Sequence, residues 1–441
     1  MGLRLIATVI FLGVLSAAQV SGSGERNTVV FISDLHMNVD ANYSWLKDHA
    51  ADLSQFLTDV NAREDVAELV ILGDLVDDWV SPVEDAPQSF AEVLNADTNA
   101  DIVAALKAIC DNTDIAVTYV TGNHDMLSFQ TENKGALADA LPGMAVISES
   151  PGLGAYKRDS VIWAEHGHRY CLFNAPDTWS REGGHLPMGY FISRMAATKA
   201  ASTGQVTTMH ELLDTFVKAP ADTLESGGQK FGAREESGEI FDDAAIIAVF
   251  NAIALWSGLW PWDGFTMNGM DGYTYDPIVE EIAVVYDGIY SSWSLRQDRV
   301  SEVEAVWNDV GRLDSAANLI FEMPDSLKDK YPFTPRIILF GHTHEAAFHY
   351  HSGNVDTIYV NTGTWIDGKD MTWAEIRVTD EIRVTDREDG KSDYEVSLWF
   401  YGETSPRQTG TLTATPSRPT EPEPVAESWS GMVMENLLKG P

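Results

Sequence analysis

Five short clusters of Asp, His and Asn hold the residues of this chain whose types and spacing could do chemistry. They are Asp34-Leu35-His36, Gly73-Asp74-Leu75-Val76-Asp77, Gly122-Asn123-His124-Asp125, Glu165-His166-Gly167-His168 and Gly341-His342-Thr343-His344, and they contain six of the eleven histidines. Carboxylate oxygens, amide oxygens and neutral imidazoles all ligate divalent first-row ions. In extended backbone Asp-x-His turns both side chains to one side, so Asp34 and His36 can face one ion. A His-x-His pair can chelate through its ring nitrogens. Each cluster alone has a plainer reading as a turn or a helix cap. The turn Asn123-His124-Asp125 strains that reading, because an amide oxygen is a hard ligand and a His beside a carboxylate is an oriented acid. Asp125 is therefore the expected partner of His124, and Asp77 a group that holds a ligand from behind.

These clusters need elements that bring them together. Apolar runs at Thr28 to Ser33, Glu68 to Leu72, Ala116 to Thr121, Val161 to Glu165 and Arg336 to Phe340 end directly before them and read as buried strands. Helical spacing over Ser44 to Asn61 and Ala100 to Asp111 separates the first three, a βαβ pattern. In such sheets functional residues gather beyond the carboxyl ends of the strands. From about Cys171 to Tyr331 helical stretches take over, at Thr207 to Val217, Asp242 to Trp256, Pro277 to Ser291 and Glu302 to Phe321. Strands resume at Thr357 to Asn361, Trp373 to Val378, Ile382 to Thr385 and Tyr394 to Tyr401, with Asp389-Gly390 suited to a hairpin.

Taken in chain order, Asp34-x-His36, Gly73-Asp74-x-x-Asp77, Gly122-Asn123-His124-Asp125, His166-Gly167 and Gly341-His342-x-His344 resemble the signature of the calcineurin-like metallophosphoesterases. The resemblance covers roughly Asn27 to Asn174 and Arg336 to about Tyr401. It implies an α/β fold in which a two-sheet β-sandwich core is flanked by helices, here with a large, mainly helical insertion. It also implies two divalent ions. Asp34, His36, Asp74 and His344 would hold one, and Asp74, Asn123, His166 and His342 the other, with Asp74 bridging. Three oxygen and four imidazole ligands suit Mn, Fe or Zn better than Mg. The implied reaction is hydrolysis of a phosphoester by in-line attack of a hydroxide shared between the ions. His124, oriented by Asp125, would serve the leaving oxygen. Gly73 to Trp79 and the His166 block further resemble the family's UDP-diacylglucosamine hydrolases. One departure is Cys171, which follows Tyr170 where related long enzymes carry Asp.

The expected organisation is a leader over 1–24, a catalytic core over 25–174 and 332–402, a helical cap over 175–331, and a disordered linker with a short final segment over 403–441. A basic start, an apolar stretch to Ala17 and small residues to Gly24 read as a secretory signal, so the chain is expected to be exported. Cys110 and Cys171 could pair there or stay free. A formal charge of -38 argues against nucleic acid and anionic membrane surfaces as partners. That disfavours a nuclease built on the same ions. Ala244 to Trp262 contains no charged residue and includes Trp256, Trp260 and Trp262, so a buried cap helix or a lipid-facing lid is expected, with peripheral membrane contact as one consequence. His168, Arg169, Arg181 and Arg194 are candidate substrate contacts near the cap's start. The partner implied is a phosphoester small molecule or lipid; a noncatalytic metal-binding protein of the same fold is the third reading.

Overall fold

The structure is a computed structural model that describes residues 26–39, 45–149, 152–177, 186–204, 242–296, 310–321, 335–353, 355–378 and 391–416. The expected leader, Arg181, the helix over Thr207 to Val217, the strand over Ile382 to Thr385 with its hairpin turn, and the final segment lie outside the described residues.

Among the described residues, twelve strands form two mixed sheets flanked by helices. They are β1 (Thr28–Ile32), β2 (Val66–Leu72), β3 (Ala116–Val120), β4 (Ala145–Ile147), β5 (Tyr156–Arg158), β6 (Ile162–Ala164), β7 (Ile337–Phe340), β8 (Ala347–His351), β9 (Thr357–Asn361), β10 (Thr372–Val378), β11 (Ser392–Phe400) and β12 (Gln408–Ala414). One sheet has the order β12-β11-β10-β1-β2-β3-β4 and the other β5-β6-β7-β9-β8. β1 to β4 run parallel to one another, as do β6, β7 and β9. The remaining pairings are antiparallel.

Strand alternation builds two separate layers of core. Val29 and Phe31 of β1, with Val70, Leu72 and Val120, meet Ile162, Ala164, Ile337, Leu339 and Val360 of the facing sheet. Val30 and Ile32 point the other way, with Leu69 and Ile71. They are covered by Leu53, Phe56 and Leu57 of α1 (Ala50–Ala62) and Ile102, Leu106 and Ile109 of α3 (Ala100–Cys110). Short α2 (Phe90–Leu94) and α4 (Thr131–Ala140) complete that flank. Burying each such side chain contributes roughly 1.5–3 kcal/mol, so both layers fix the strands whose ends carry the clusters.

The insertion supplies α5 (Met188–Thr203), α6 (Asp243–Ser257), α7 (Val279–Val285), α8 (Trp293–Arg296) and α9 (Val310–Phe321). Its apolar residues Tyr190, Phe191, Phe250, Phe265, Tyr286 and Leu313 join Trp79, Met126, Trp163, Phe340 and Tyr359 of the core in a single cluster. The uncharged stretch becomes α6 and a following loop. Among the described residues no helix is long and apolar enough to cross a membrane.

Two expectations need correction. The segment after Glu403 was expected to be disordered, yet Gln408–Ala414 is a strand paired along β11. Its threonines favour the pleated backbone, and Leu412 and Ala414 are buried. The helix expected over Pro277 to Ser291 stops at Val285, and Gly288 takes φ +88° in the turn that follows.

Candidate metal centre

All five clusters sit at carboxyl ends of parallel strands. Asp34 and His36 follow β1, Asp74 follows β2, Asn123 and His124 follow β3, His166 follows β6, and His342 and His344 follow β7. The loops there are strained. Of the eight non-glycine residues with positive φ among the described ones, five are Asp34, His36, Asp74, His342 and His344. Each costs about 1–3 kcal/mol, a cost the sheets and the side-chain bonds below hold in place. Gly73 has φ +81°, and a Cβ on it would meet the His166 ring at 2.6 Å. At Gly122 a Cβ would fall 2.1 Å from Asp74 Oδ1, so any side chain at either position would push apart the ligands it separates.

The ring orientations are set from behind. His166 Nδ1 donates to Leu72 O at 2.7 Å, which leaves Nε2 facing Asn123 Oδ1 at 3.0 Å and Asp74 Oδ2 at 3.1 Å. His36 Nδ1 lies 3.1 Å from Asp77 Oδ2. Its Nε2 faces His344 Nε2 at 3.0 Å and Asp74 Oδ2 at 3.5 Å. Asp34 Oδ1 lies 3.2 Å from His344 Nε2 and is buried without a hydrogen-bond partner. Asp34, His36, Asp74 and His344 thus offer four ligand atoms within 4.8 Å of one another. Two ring nitrogens about 3 Å apart match two ligands at right angles around an ion at roughly 2.1 Å. The donor set fits the implied ions, because its lone pairs converge and a cation is what would reconcile them.

His342 is buried, and its Nε2 lies 2.9 Å from Cys171 Sγ. Cys171, at the position where Asp was expected, therefore stands against a candidate ligand ring and can hold its orientation. No disulfide joins Cys110 and Cys171.

Burial pulls His36 down, but the facing carboxylates of Asp34, Asp77 and Asp74 outweigh it and raise the imidazole to about 10. His166 rises to about 9 against burial, chiefly through Asp74 and Asp34. Burial pushes Asp34, Asp74 and Asp77 up, yet the facing imidazoles carry all three well below the usual carboxylate range. Burial and the neighbouring His166 keep His342 well below its ordinary value, hence neutral. A metal must displace the protons on His36 and His166. Below those raised values protonation competes with the ion, so apparent affinity falls as pH falls, and binding at pH 7 releases protons. Calorimetry in two buffers of different ionisation heat should give different apparent heats; equal heats would mean that no proton leaves.

The expected pairing of His124 with Asp125 is corrected. His124 Nδ1 lies 2.9 Å from Asp77 Oδ1, so Asp77 orients both His36 and His124. Asp125 accepts instead from the backbone N–H groups of Gly122 at 2.6 Å and Leu75 at 2.7 Å, tying the loop after β3 to that after β2. Burial first, then Asp74, raises its carboxyl to about 6. The His124 ring stacks on Trp79 at 4.4 Å, and Trp45 lies against His36, His124 and His344. Neither tryptophan nor the Cys171 contact was marked by residue spacing.

Three of the four expected substrate contacts, His168, Arg169 and Arg194, have other partners in the structure. His168 is buried behind His166, with Nε2 donating to Gly152 O. Arg169 is tied to Glu165 at 2.6 Å. Arg194 is fully buried and donates to the carbonyls of Pro82, Thr266 and Asp85 at 2.8, 2.8 and 2.6 Å. It clamps the insertion to the loop after Asp77. Arg194→Met should therefore lower stability by about 3 kcal/mol in denaturant unfolding and leave metal content unchanged. A raised KM with unaltered stability would restore the substrate role.

No curated protein matches the chain. Among solved structures, a dimetal phosphatase from Danio rerio is 12% identical, with 89% of this chain and 100% of that one covered and a TM-score of 0.35. The phosphopantetheinyl hydrolase of Mycobacterium tuberculosis is 11% identical, with 77% and 91% covered and a TM-score of 0.24. The family model described as calcineurin-like phosphoesterase matches residues 28–208, a span that includes Asp34, His36, Asp74, Asn123, His124 and His166. Over that span, from β1 through α5, the chain is similar in sequence to the calcineurin-like phosphoesterases.

Proposed function

We propose that the chain hydrolyses a phosphoester with two divalent ions held where the carboxyl ends of the two sheets meet. The observation that carries this reading is the convergence of Asp34 Oδ1, His36 Nε2, Asp74 Oδ2 and His344 Nε2, with ring orientations fixed from behind. When bound, such ions supply Lewis acidity toward phosphoryl oxygens and toward water. The chain's own residues do the rest. Asp74 lies between the two ligand sets, His166 and Asn123 on one side and His36 on the other. His124, with Nδ1 held by Asp77, has Nε2 free to hold or give a proton at a leaving oxygen. Trp45 and Trp79 pack against that ring and hold its plane.

The cap bears on the substrate. Leu255, Trp260, Trp262 and Val284 are exposed, and Leu255, Trp262 and Val284 line a groove with Ile247 and Leu259. This apolar face supports a substrate that joins a phosphoester to an acyl or other hydrophobic part, in keeping with the resemblance to UDP-diacylglucosamine hydrolases. The charge of -38 disfavours a nucleic-acid substrate. An exported enzyme would meet such a substrate outside the cytoplasm, as the leader-like residues 1–24 imply.

The test is metal content measured beside hydrolysis of chromogenic phosphomonoesters and phosphodiesters, with chelation followed by Mn, Zn or Fe as control. At least two ions per chain and chelator-sensitive turnover are expected. Metal bound without turnover of any phosphoester would leave a binding protein of this fold. Turnover of DNA or RNA in preference to small esters would favour the nuclease. If Trp260→Ser with Trp262→Ser left detergent-micelle binding and lipid-ester turnover unchanged, the apolar part of the substrate would be withdrawn.

A further inference from the structure

Away from the centre, the outer edge of the second sheet carries another set of ligands. His349 and His351 lie two apart on β8 and so share one face of that edge strand. Asp314 reaches the same place from α9 of the insertion. Its Oδ1 lies 2.9 Å from His349 Nδ1 and 3.6 Å from His351 Nε2. All three ligand atoms fall within 4.8 Å of one another. Yet Asp314 Oδ1, a buried atom, makes no hydrogen bond. The ring nitrogens approach it without the alignment a hydrogen bond needs, so the three lone pairs aim at a common space rather than at each other.

Two imidazoles and one carboxylate suit Zn or a similar borderline ion. Around Zn, with bonds of about 2.0–2.1 Å, tetrahedral ligands stand roughly 3.3 Å apart, and the two measured separations bracket that value. We propose that Asp314, His349 and His351 form a third divalent-metal site, of the Zn class, separate from the pair at the strand ends. Water would complete the coordination, since the side chains of His349 and His351 are 41% and 43% exposed.

The location assigns the site a job. α9 packs on β9 and on the turn His168–Tyr170. Leu313, next to Asp314, stands so close to Gly167 that a Cβ there would meet its methyl at 3.1 Å. An ion joining Asp314 to β8 pins α9 to the core, and with it the turn that follows His166. The ion acts as a clip between insertion and core, with no part in the reaction itself.

The test uses the full chain, stripped by chelator and reloaded with Zn, then dialysed and assayed for metal per chain. It compares the unaltered protein with His349→Gln/His351→Gln. The double variant should bind one ion fewer, lose the Zn-dependent part of its thermal shift, and retain its remaining metal and basal turnover. Asp314→Asn should lose the same ion. These exposed rings should tolerate the change to Gln, and far-UV circular dichroism checks the fold. Equal stoichiometry and equal thermal shift in the parent and double variant would overturn the site. The difference of one ion is readable whether or not the strand-end centre hydrolyses anything.

Discussion

Asp74→Ala should cut phosphoester turnover by about 10³-fold or more and lower the metal content of the chain by at least one ion. Asp74 Oδ2 faces both His166 and His36, at 3.1 and 3.5 Å, and Oδ1 accepts the backbone N–H of His124 at 2.9 Å. One carboxylate therefore joins three strand ends. Removing it takes away the shared ligand, frees the two imidazoles from the charge that positions them, and leaves a buried N–H unpaired. Lewis-acid stabilisation is worth several kcal/mol, and each 1.4 kcal/mol is about tenfold in rate, which sets the scale. Asp74→Asn separates loss of charge from loss of shape, because it keeps the volume that Gly122 leaves open. Full activity in Asp74→Ala would falsify the shared-ligand reading.

The second large effect belongs to His124. His124→Ala should lower kcat by about two to four orders of magnitude, while metal content stays unchanged, because this ring is not one of the four converging groups Asp34, His36, Asp74 and His344 and its Nδ1 is held by Asp77. Asp77→Asn makes a sharper test. Asp77 holds His124 through Oδ1 and His36 through Oδ2, so the amide should slow turnover and weaken metal binding together, by about 10–100-fold in affinity. Asp125→Asn should instead loosen the loop contacts with Leu75 and Gly122. If Asp125→Asn changed the pH profile of turnover and Asp77→Asn did not, the pairing seen in the structure would be the wrong one.

The ligand clusters were legible because buried strands announce themselves by apolar runs and turns collect polar residues. Asp34, Asp74 and His166 could be placed at strand ends without any coordinates. What could not be read was direction. Asp77 and Asp125 are both near His124 in the chain's logic, and only the crossing of β2 and β3 decides which carboxylate meets the ring. Arg194 looked like a phosphate partner because a guanidinium in a mixed segment shows no sign of the carbonyls that surround it. β8 was missed because Ala347-Phe-His-Tyr-His carries its strand signal mainly in two aromatics. β12 hid behind threonines and glycine that also suit a linker. His349 and His351 drew no attention because their partner Asp314 comes from the distant insertion.

The single apolar cluster shared by insertion and core has a consequence for anyone who would re-engineer this chain. Trp79 and Met126, which flank the centre, pack in the same mass as Tyr190, Phe191 and Phe250, and Arg194 stitches the two together through backbone carbonyls. The cap is therefore not a cassette. Deleting it or exchanging it for another would strip cover from the wall behind His124, and the chemistry would fail along with the specificity. Variants that alter the apolar groove are better sought at Leu255, Trp262 and Val284, whose side chains are exposed and can change without unseating the residues beneath.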